Sequence, residues 1–442
     1  MLRSAVLEGD FGGWAMAAQQ KIWFVSEVYY PDEQGSAFYT TGLAEGLACH
    51  YPVEVLCSDP TVTARGTRVA QRELRNGVAI RRCKGTTFSK DKLLLRVVNM
   101  LTYSASLVAT GLRLVKRNDV VIAVTSPPSV PFVAQLICWL KGAKCLLRLE
   151  DVYPETLVAT GMLTEKSPAT RLLFWMTCRL YRNVALLSVL GRDMKVLAEK
   201  KLGVRKDHLH IIRSWSDTDI VFPQPKSENR LLKSLGLADK FVVSCVGNMG
   251  RAQAVETMLE AVVELGGNPR IHFLFIGSGA KKGWLEDQVA LRGLQNITIL
   301  NHRPRTEQID FLNACDISII SLLAGMTGAG VPSRTYNIMA AGKPIIALTG
   351  VDSEVSLLVR DEEIGWHVLP DNVQGLVQAV LEAASEPERL AGMGEKAARL
   401  ALTRFSRDTI IAEYRLLLER ELLVASDKPL EASQGVDCFG SV

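Results

Sequence analysis

Two stretches in the second half of the chain run from an apolar, β-branched segment straight into glycine. CVGNMGRAQAVE (245–256) does so at Gly247 and Gly250, and FIGSGAKKGWLED (275–287) at Gly277, Ser278 and Gly279, each ahead of a helical pattern. Glycine at such a place lets backbone N–H groups close on an anion at a helix N-terminus, although many βα turns take glycine for steric reasons alone. A third stretch, GAGVPSRTYNIMAAGKPIIAL (328–348), is more informative. Pro332 and Ser333 open a helix, Gly342 closes it, and PIIAL is the next strand. Arg334 then falls in the first turn, where a cation opposes the helix dipole unless a ligand phosphate or a neighbouring carboxylate neutralises it. In the first half, LEDVYPETLVATGML (149–163) ends a strand in Glu150 and Asp151, with Glu155 close behind. Carboxylates there suit orienting or deprotonating an acceptor hydroxyl, and equally suit capping a helix.

Positioning such residues requires strands that end side by side. From Lys21 onward, short apolar runs alternate with longer helical patterns. In the first half the predicted strands are 22–26, 53–58, 78–83, 119–125, 143–151 and 185–190; in the second they are 241–247, 271–277, 297–300, 317–321 and 344–349. Near-continuous hydrophobic strands of this kind predict parallel sheets covered by helices on both faces, with ligands outside the carboxyl ends of the strands. A charged, Pro-containing stretch, SWSDTDIVFPQPKSENR (214–230), separates the two patterns. The expected fold class is therefore α/β: two doubly wound, Rossmann-like domains, 20–215 and 216–405, facing across a cleft. Residues 1–19 read as a loose extension without the apolar core of a secretory signal, and the polar tail 424–442 as disordered.

Composition narrows the function classes. A chain of 442 residues that is 48% hydrophobic and 22% charged is globular, not collagen-like, disordered or a disulfide scaffold. Nine cysteines, odd in number and without C-x-x-C spacing, fit buried free thiols in a reducing compartment. The six histidines show no metal-ligand spacing, so neither a metal nor another cofactor is expected, and the missing G-x-G-x-x-G fingerprint argues against nicotinamide or flavin chemistry. Residues 1–215 carry 29 Lys+Arg against 18 Asp+Glu, and residues 216–442 carry 22 against 29, so the halves are +11 and −7. A basic half suits phosphates, nucleic acid or an anionic membrane surface, or is a solvated face; no recognised nucleic-acid module accompanies it. The uncharged run Val120 to Leu140 is long enough to span a bilayer, but Pro127, Pro128 and Pro131 break it into strand, turn and helix.

From about Lys21 to Leu423 the chain resembles the family 4 glycosyltransferases, retaining enzymes of the GT-B fold. The resemblance rests on SEVYYPDEQGSAFYTTGLAEGLA (26–48), SWSDTDIVFP (214–223), CVGNMGRAQAVETMLEAV (245–262), FIGSGAKKGWLED (275–287), PSRTYNIMAAGKPIIAL (332–348) and FSRDTIIAEYRLLLER (405–420), in that order. Within the family it is similar to the branch that builds bacterial surface polysaccharides of the O-antigen and colanic-acid type. The resemblance implies a nucleotide-sugar donor, UDP-linked by first expectation, bound to the second domain. It also implies a hexosyl or N-acetylhexosaminyl type of transfer with retention, and a C-terminal helix, 406–423, that returns to complete the first domain. The loop YYPDEQGSAF (29–38) resembles the one that closes over the donor phosphate, with Gly35 and Ser36 offering backbone N–H groups. The family's basic pair falls on Asn248 and Gln253, so the compensating cation is Arg251 or Arg334. Its glutamate pair falls on Ala329 and Asn337, of which only Asn337 can hydrogen-bond a sugar hydroxyl. The family often has a histidine near 151, for which Asp151 looks like the substitute.

The acceptor side is read from FSKDKLLLRVVNMLTYSASLVATGLRLVKR (88–117), where basic residues at 90, 92, 96, 113, 116 and 117 flank an apolar stretch, and from ATRLLFWMTCRLYRN (169–183), with Trp175 and Tyr181 among arginines. Such helices suit a membrane surface, and also suit the buried face of a sheet. The expected partners are thus the donor, a lipid-linked saccharide acceptor and an anionic membrane surface, at the inner face of the cytoplasmic membrane. Two other classes remain open: a nucleotide-sugar epimerase, from which the P-S-R-x-x-x-I-M-A-A-G segment points away, and a GT-B scaffold without catalysis, because the glutamate pair is missing.

Overall fold

In the computed structural model, residues 20–423 are described apart from Gln34, Val62 and residues 89–91; the extension 1–19 and the tail 424–442 lie outside the described residues. Among the described residues, fourteen strands form two sheets. The first contains β1 (Ile22–Val25), β2 (Val53–Cys57), β3 (Arg72–Arg75), β4 (Val78–Arg82), β5 (Val120–Val124), β6 (Lys144–Leu149), β7 (Leu186–Val189) and β8 (Leu209–Ile211), in the order β3-β4-β2-β1-β5-β6-β7-β8. Every pairing in it is parallel except β3 with β4. The second contains β9 (Phe241–Asn248), β10 (Ile271–Ser278), β11 (Ile297–Leu300), β12 (Ile317–Ser321), β13 (Ile345–Leu348) and β14 (Gly365–Val368), all parallel, in the order β11-β10-β9-β12-β13-β14.

Strand periodicity explains the double cover. Along β1, Ile22 and Phe24 enter one core layer with Val53, Val55, Val120 and Ile122, while Trp23 and Val25 enter the opposite layer with Leu56, Val121 and Ala123. The second sheet divides likewise, with Val243, Cys245 and Phe275 on one face and Val242, Val246 and Leu274 on the other. With both faces dry, each strand must be apolar throughout, which is why the strands read as continuous hydrophobic runs. All eleven expected strands are present. The three additional ones, β3, β8 and β14, are short, and β3 (RELR) alternates exposed and half-buried residues at the sheet edge.

The chain crosses between the domains twice, and the two crossings lie together. Ser216 forms a parallel bridge with Ser406, its N–H donates to the Phe405 carbonyl at 2.8 Å, and its hydroxyl donates to the Ala401 carbonyl at 2.6 Å. Beyond the second crossing, the helix Arg407–Glu421 packs on the helix Gly35–Ala48 of the first domain, burying Ile410, Tyr414, Leu417 and Leu418 in that domain's core. Gly46 makes this approach possible, since a Cβ there would lie 2.2 Å from Ile411.

A clasp joins the domains shortly after β7 in the chain. Glu354, 1% exposed, accepts from the Arg192 N–H at 2.8 Å and Nε at 2.9 Å through one oxygen, and from Arg213 Nε at 2.8 Å through the other. Beside it, the Asp193 carboxylate accepts from the Gly328 N–H at 3.1 Å.

Candidate active site

The carboxyl ends of both sheets meet, and the segments singled out in the sequence converge there. From the first domain, β6 leads into Glu150 and Asp151. Both of their N–H groups donate to Thr125 Oγ1, at 3.0 and 3.1 Å, which fixes the turn. Asp151 forms an antiparallel bridge with Gly330 of the second domain, and the Val152 N–H donates to the Ala329 carbonyl at 2.8 Å. The Asp151 carboxylate lies against the Gly330 backbone, close enough that a Cβ on Gly330 would stand 3.1 Å from Oδ1. Burial, and then the Glu150 charge, push its pKa up to about 6.

The helix Gly35–Ala48 begins at the same place. The Ser36 hydroxyl donates to Glu150 Oε2, and the other Glu150 oxygen is 3.3 Å from Nη1 of Arg148, a deeply buried arginine in β6. Gly35 faces Ser333, whose hydroxyl makes no capping hydrogen bond; a Cβ on Gly35 would be 3.6 Å from Ser333 Oγ. The Tyr39 hydroxyl donates across the cleft to the Ser333 carbonyl at 3.4 Å, and Arg305 of the second domain stacks 3.6 Å over Phe38 while pairing with Asp217 at 2.7 Å.

In the second domain the helix Arg334–Ala340 starts after Pro332 and Ser333, and Gly342, at φ +65°, follows its C-cap. Arg334 makes no ion pair or side-chain hydrogen bond among the described residues, and its buried Nε has no partner. Its guanidinium lies on the end of β9, where a Cβ on Gly247 would be 2.4 Å from Nη1. Desolvation lowers the pKa of this arginine, as it must for a cation with no anion beside it. The ends of β9 and β10 are themselves in backbone contact. A Cβ on Gly277 would sit 1.8 Å from the Gly247 carbonyl oxygen, and one on Gly279 2.5 Å from the Met249 backbone. These two glycines therefore have a steric reason to be glycine whatever they bind.

The remaining candidates occupy distinct places. Ser278 and Asn248 are exposed at the two strand ends, and Gly250 lies under the Asn248 amide. Gln253 is buried, and its Oε1 accepts from the Gly250 N–H at 2.9 Å, so it braces the turn. Arg251 is exposed. Asn337 is buried, and its Oδ1 accepts from the Asp217 N–H at 2.8 Å, so the oxygen that could meet a sugar hydroxyl is committed to the interdomain connection. Ala329 is fully buried beside Leu322 and Met326. Glu155 opens the helix Glu155–Ala159 and pairs with Lys201 at 3.2 Å. Four residues that the sequence reading did not single out belong to the region: Arg148, Tyr39, Arg305 and Lys281, whose Nζ donates to the Gln253 carbonyl at 3.2 Å and pairs with Glu256 at 2.7 Å. Arg148 had a signal, as the single charge inside the buried run CLLRL.

Two α/β domains that meet at the carboxyl ends of their parallel sheets have the architecture of the GT-B glycosyltransferases. The chain belongs to that class: residues 34–215 match the glycosyl transferase 4-like domain and residues 227–400 match the glycosyl transferases group 1 domain. It is 35% identical over 272 residues to the probable glycosyltransferase WbjE of Pseudomonas aeruginosa, an alignment covering 60% of this chain and 66% of that one. It is 25% identical over 260 residues to the putative colanic acid biosynthesis glycosyl transferase WcaI of Escherichia coli K12, covering 58% of this chain and 63% of that one. The alignments thus span about two thirds of these relatives. Among solved structures, Anabaena Alr3699/HepE in complex with UDP shares the fold at a TM-score of 0.68 and 15% identity, covering 91% of this chain and all of that one.

Proposed function

We propose that the chain transfers a sugar from a nucleoside diphosphate donor, UDP-linked in the first instance, to a hydroxyl of a lipid-linked or polysaccharide-precursor acceptor in surface polysaccharide assembly, with retention. The observation that carries this reading is Arg334: an arginine without a side-chain partner among the described residues, lying on the glycine-ended strand β9, next in the chain to Ser333, which faces Gly35. A half-buried cation of this kind, its Nε out of reach of water, is stabilised by an anion, and a diphosphate held by backbone N–H groups meets that need. The names of the relatives and the UDP of the solved structure support the same choice.

In the reaction, the bond between the anomeric carbon and the diphosphate oxygen breaks, and its electron pair stays with the diphosphate. Arg334 and the N–H groups of Gly35 and Ser36 hold that growing charge. The acceptor hydroxyl attacks from the same face, forming the new glycosidic bond, and its proton passes to the Asp151 carboxylate. No enzyme nucleophile enters this scheme. The charge-assisted Arg334 contact is worth about 1.5–3 kcal/mol, or roughly ten- to a hundredfold in affinity.

Calorimetry of the full chain with UDP tests the donor half. Arg334→Ala is expected to weaken binding by that factor while Arg251→Ala leaves it near the wild-type value. The reverse result would make Arg251 the phosphate cation, and no binding of any nucleoside diphosphate at millimolar concentration would remove the donor. A second reading, a scaffold that binds without transferring, draws on Ala329 and on the committed Asn337 oxygen. Binding of UDP-sugars with neither transfer nor hydrolysis would favour it.

A further inference from the structure

Three neighbouring helices of the first domain, Leu93–Leu114, Val130–Lys141 and Pro168–Asn183, cover one face of the first sheet. Gly111 of the first rests on Ile137 of the second, and Gln135 of the second donates to the Asn183 carbonyl of the third at 3.0 Å. Their inner sides bury Tyr103, Leu107, Ile137 and Cys178 in the core. Their outer sides are not the polar faces that such helices normally show to water. Leu94 is 74% exposed, Leu101 59%, Trp139 73% and Trp175 60%.

Two further features mark this surface. Together the three helices contain no aspartate or glutamate. Around the exposed apolar residues stand Arg113, Lys116, Arg117, Lys141, Arg171 and Arg179, none in an ion pair among the described residues, although carboxylate partners are common elsewhere on this chain. Tyr181, expected from sequence at the same surface, turns inward instead and is buried. Trp139, on a helix that the sequence suggested only as cover for the sheet, is the more exposed tryptophan. No helix among the described residues is long and apolar enough to cross a membrane.

We infer that this three-helix face docks on an anionic lipid bilayer, lying at its surface with Trp139 and Trp175 at the level of the headgroups. Tryptophan rings are amphipathic and favour that depth, and cations without local partners are attracted by anionic headgroups. A second copy of the chain fits less well, because a two-fold contact through this face would oppose one set of unpaired cations with the same set. The inference does not rest on Arg334 or Asp151 and stands whether or not transfer is the reaction.

The test is co-sedimentation of the full chain with vesicles of phosphatidylcholine containing phosphatidylglycerol, against phosphatidylcholine alone, with tryptophan quenching by brominated lipid. Partition into the anionic vesicles is expected, weakened by salt. The pair Trp139→Ser with Trp175→Ser is expected to lower it by about tenfold or more and to abolish most of the quenching. Arg171→Glu with Arg179→Glu is expected to lower it by a similar factor with the tryptophans in place. All four side chains are exposed, so melting should not change; if the tryptophan pair fails to fold, the arginine pair decides. Absence of partition at low salt would overturn the inference, as would partition that neither pair alters. A wild-type dimer that the tryptophan pair dissociates, without vesicle binding, would give the face to a second copy.

Discussion

At the residue scale, Asp151 carries the sharpest expectation. Its carboxyl packs against Gly330 beside Glu150, and a pKa pushed up to about 6 would leave it ionised at neutral pH and protonated in mild acid. As a proton acceptor it works only when ionised, so the transfer rate should climb with pH through about 6 and then level. Asp151→Asn should remove that limb and about a hundredfold of the rate, the usual scale for such a group, while UDP binding persists. Glu150→Gln removes the negative charge that helps raise this pKa, so the limb should move to lower pH. Tyr153 and Tyr181 also lie near Asp151 and stay neutral across that range. Stability should run the opposite way to activity. The folded pKa exceeds the unfolded value of about 3.9, so the folded state holds the proton more tightly, and Asp151 favours folding most below pH of about 4 and progressively less as pH rises through 6. A flat rate profile from pH of about 5 to 8, with Asp151→Asn still active, would leave Asp151 as a turn residue.

At the scale of elements, the βα turns after β9 and β10 are where packing and binding coincide. Gly277→Ala would drive a methyl into the Gly247 carbonyl, and two strand backbones cannot both yield. A loss of about 3 kcal/mol or more in denaturant unfolding is expected, together with weaker nucleotide binding because Gly247 underlies Arg334. Gly283, in the helix Lys282–Arg292, has open space around it, so Gly283→Ala should stabilise by about 0.4–1 kcal/mol. Equal effects at the two positions would show that the strand ends relax more freely than their spacing suggests. The same elements show what a sequence can carry. Strands buried on both faces announce themselves, and so does a glycine-ended turn, because burial and close approach restrict residue type locally. β3 does not, since RELR owes its conformation to pairing with β4 across the Asn76–Gly77 turn, both residues at positive φ. The Asn-Gly pair was its available signal. Arg334 was legible as an electrostatic conflict within one helix. Arg305 stacked on Phe38, and Asn337 tied to Asp217, were not, because each depends on chain segments that only the fold brings together.

For the whole molecule, the relation between the domains is set by the paired crossings at Ser216 and Ser406 and by the Glu354 clasp. Arg192 and Arg213 reach Glu354 from the first domain, and a buried carboxylate with both oxygens occupied is costly to replace. Glu354→Ala leaves the two arginines facing an empty place. Because both are partly exposed and Arg192 keeps Asp361, the expected cost to the closed arrangement is roughly 2–3 kcal/mol, below that of a fully buried pair. Small-angle scattering should then show a larger radius of gyration without UDP and a return towards the wild-type value with it. An unchanged radius would mean that the crossings alone hold the domains.

The paired crossings have a consequence for ancestry. Because the chain leaves the first domain at Ser216 and re-enters beside it at Ser406, everything between is an insertion whose two ends are neighbours in space. Such a segment can be cut out and replaced at two adjacent points without stretching the host. Recombination among related genes could therefore pair an inherited host domain with a borrowed insert, and new specificities could arise by exchanging a cassette instead of by remodelling a cleft.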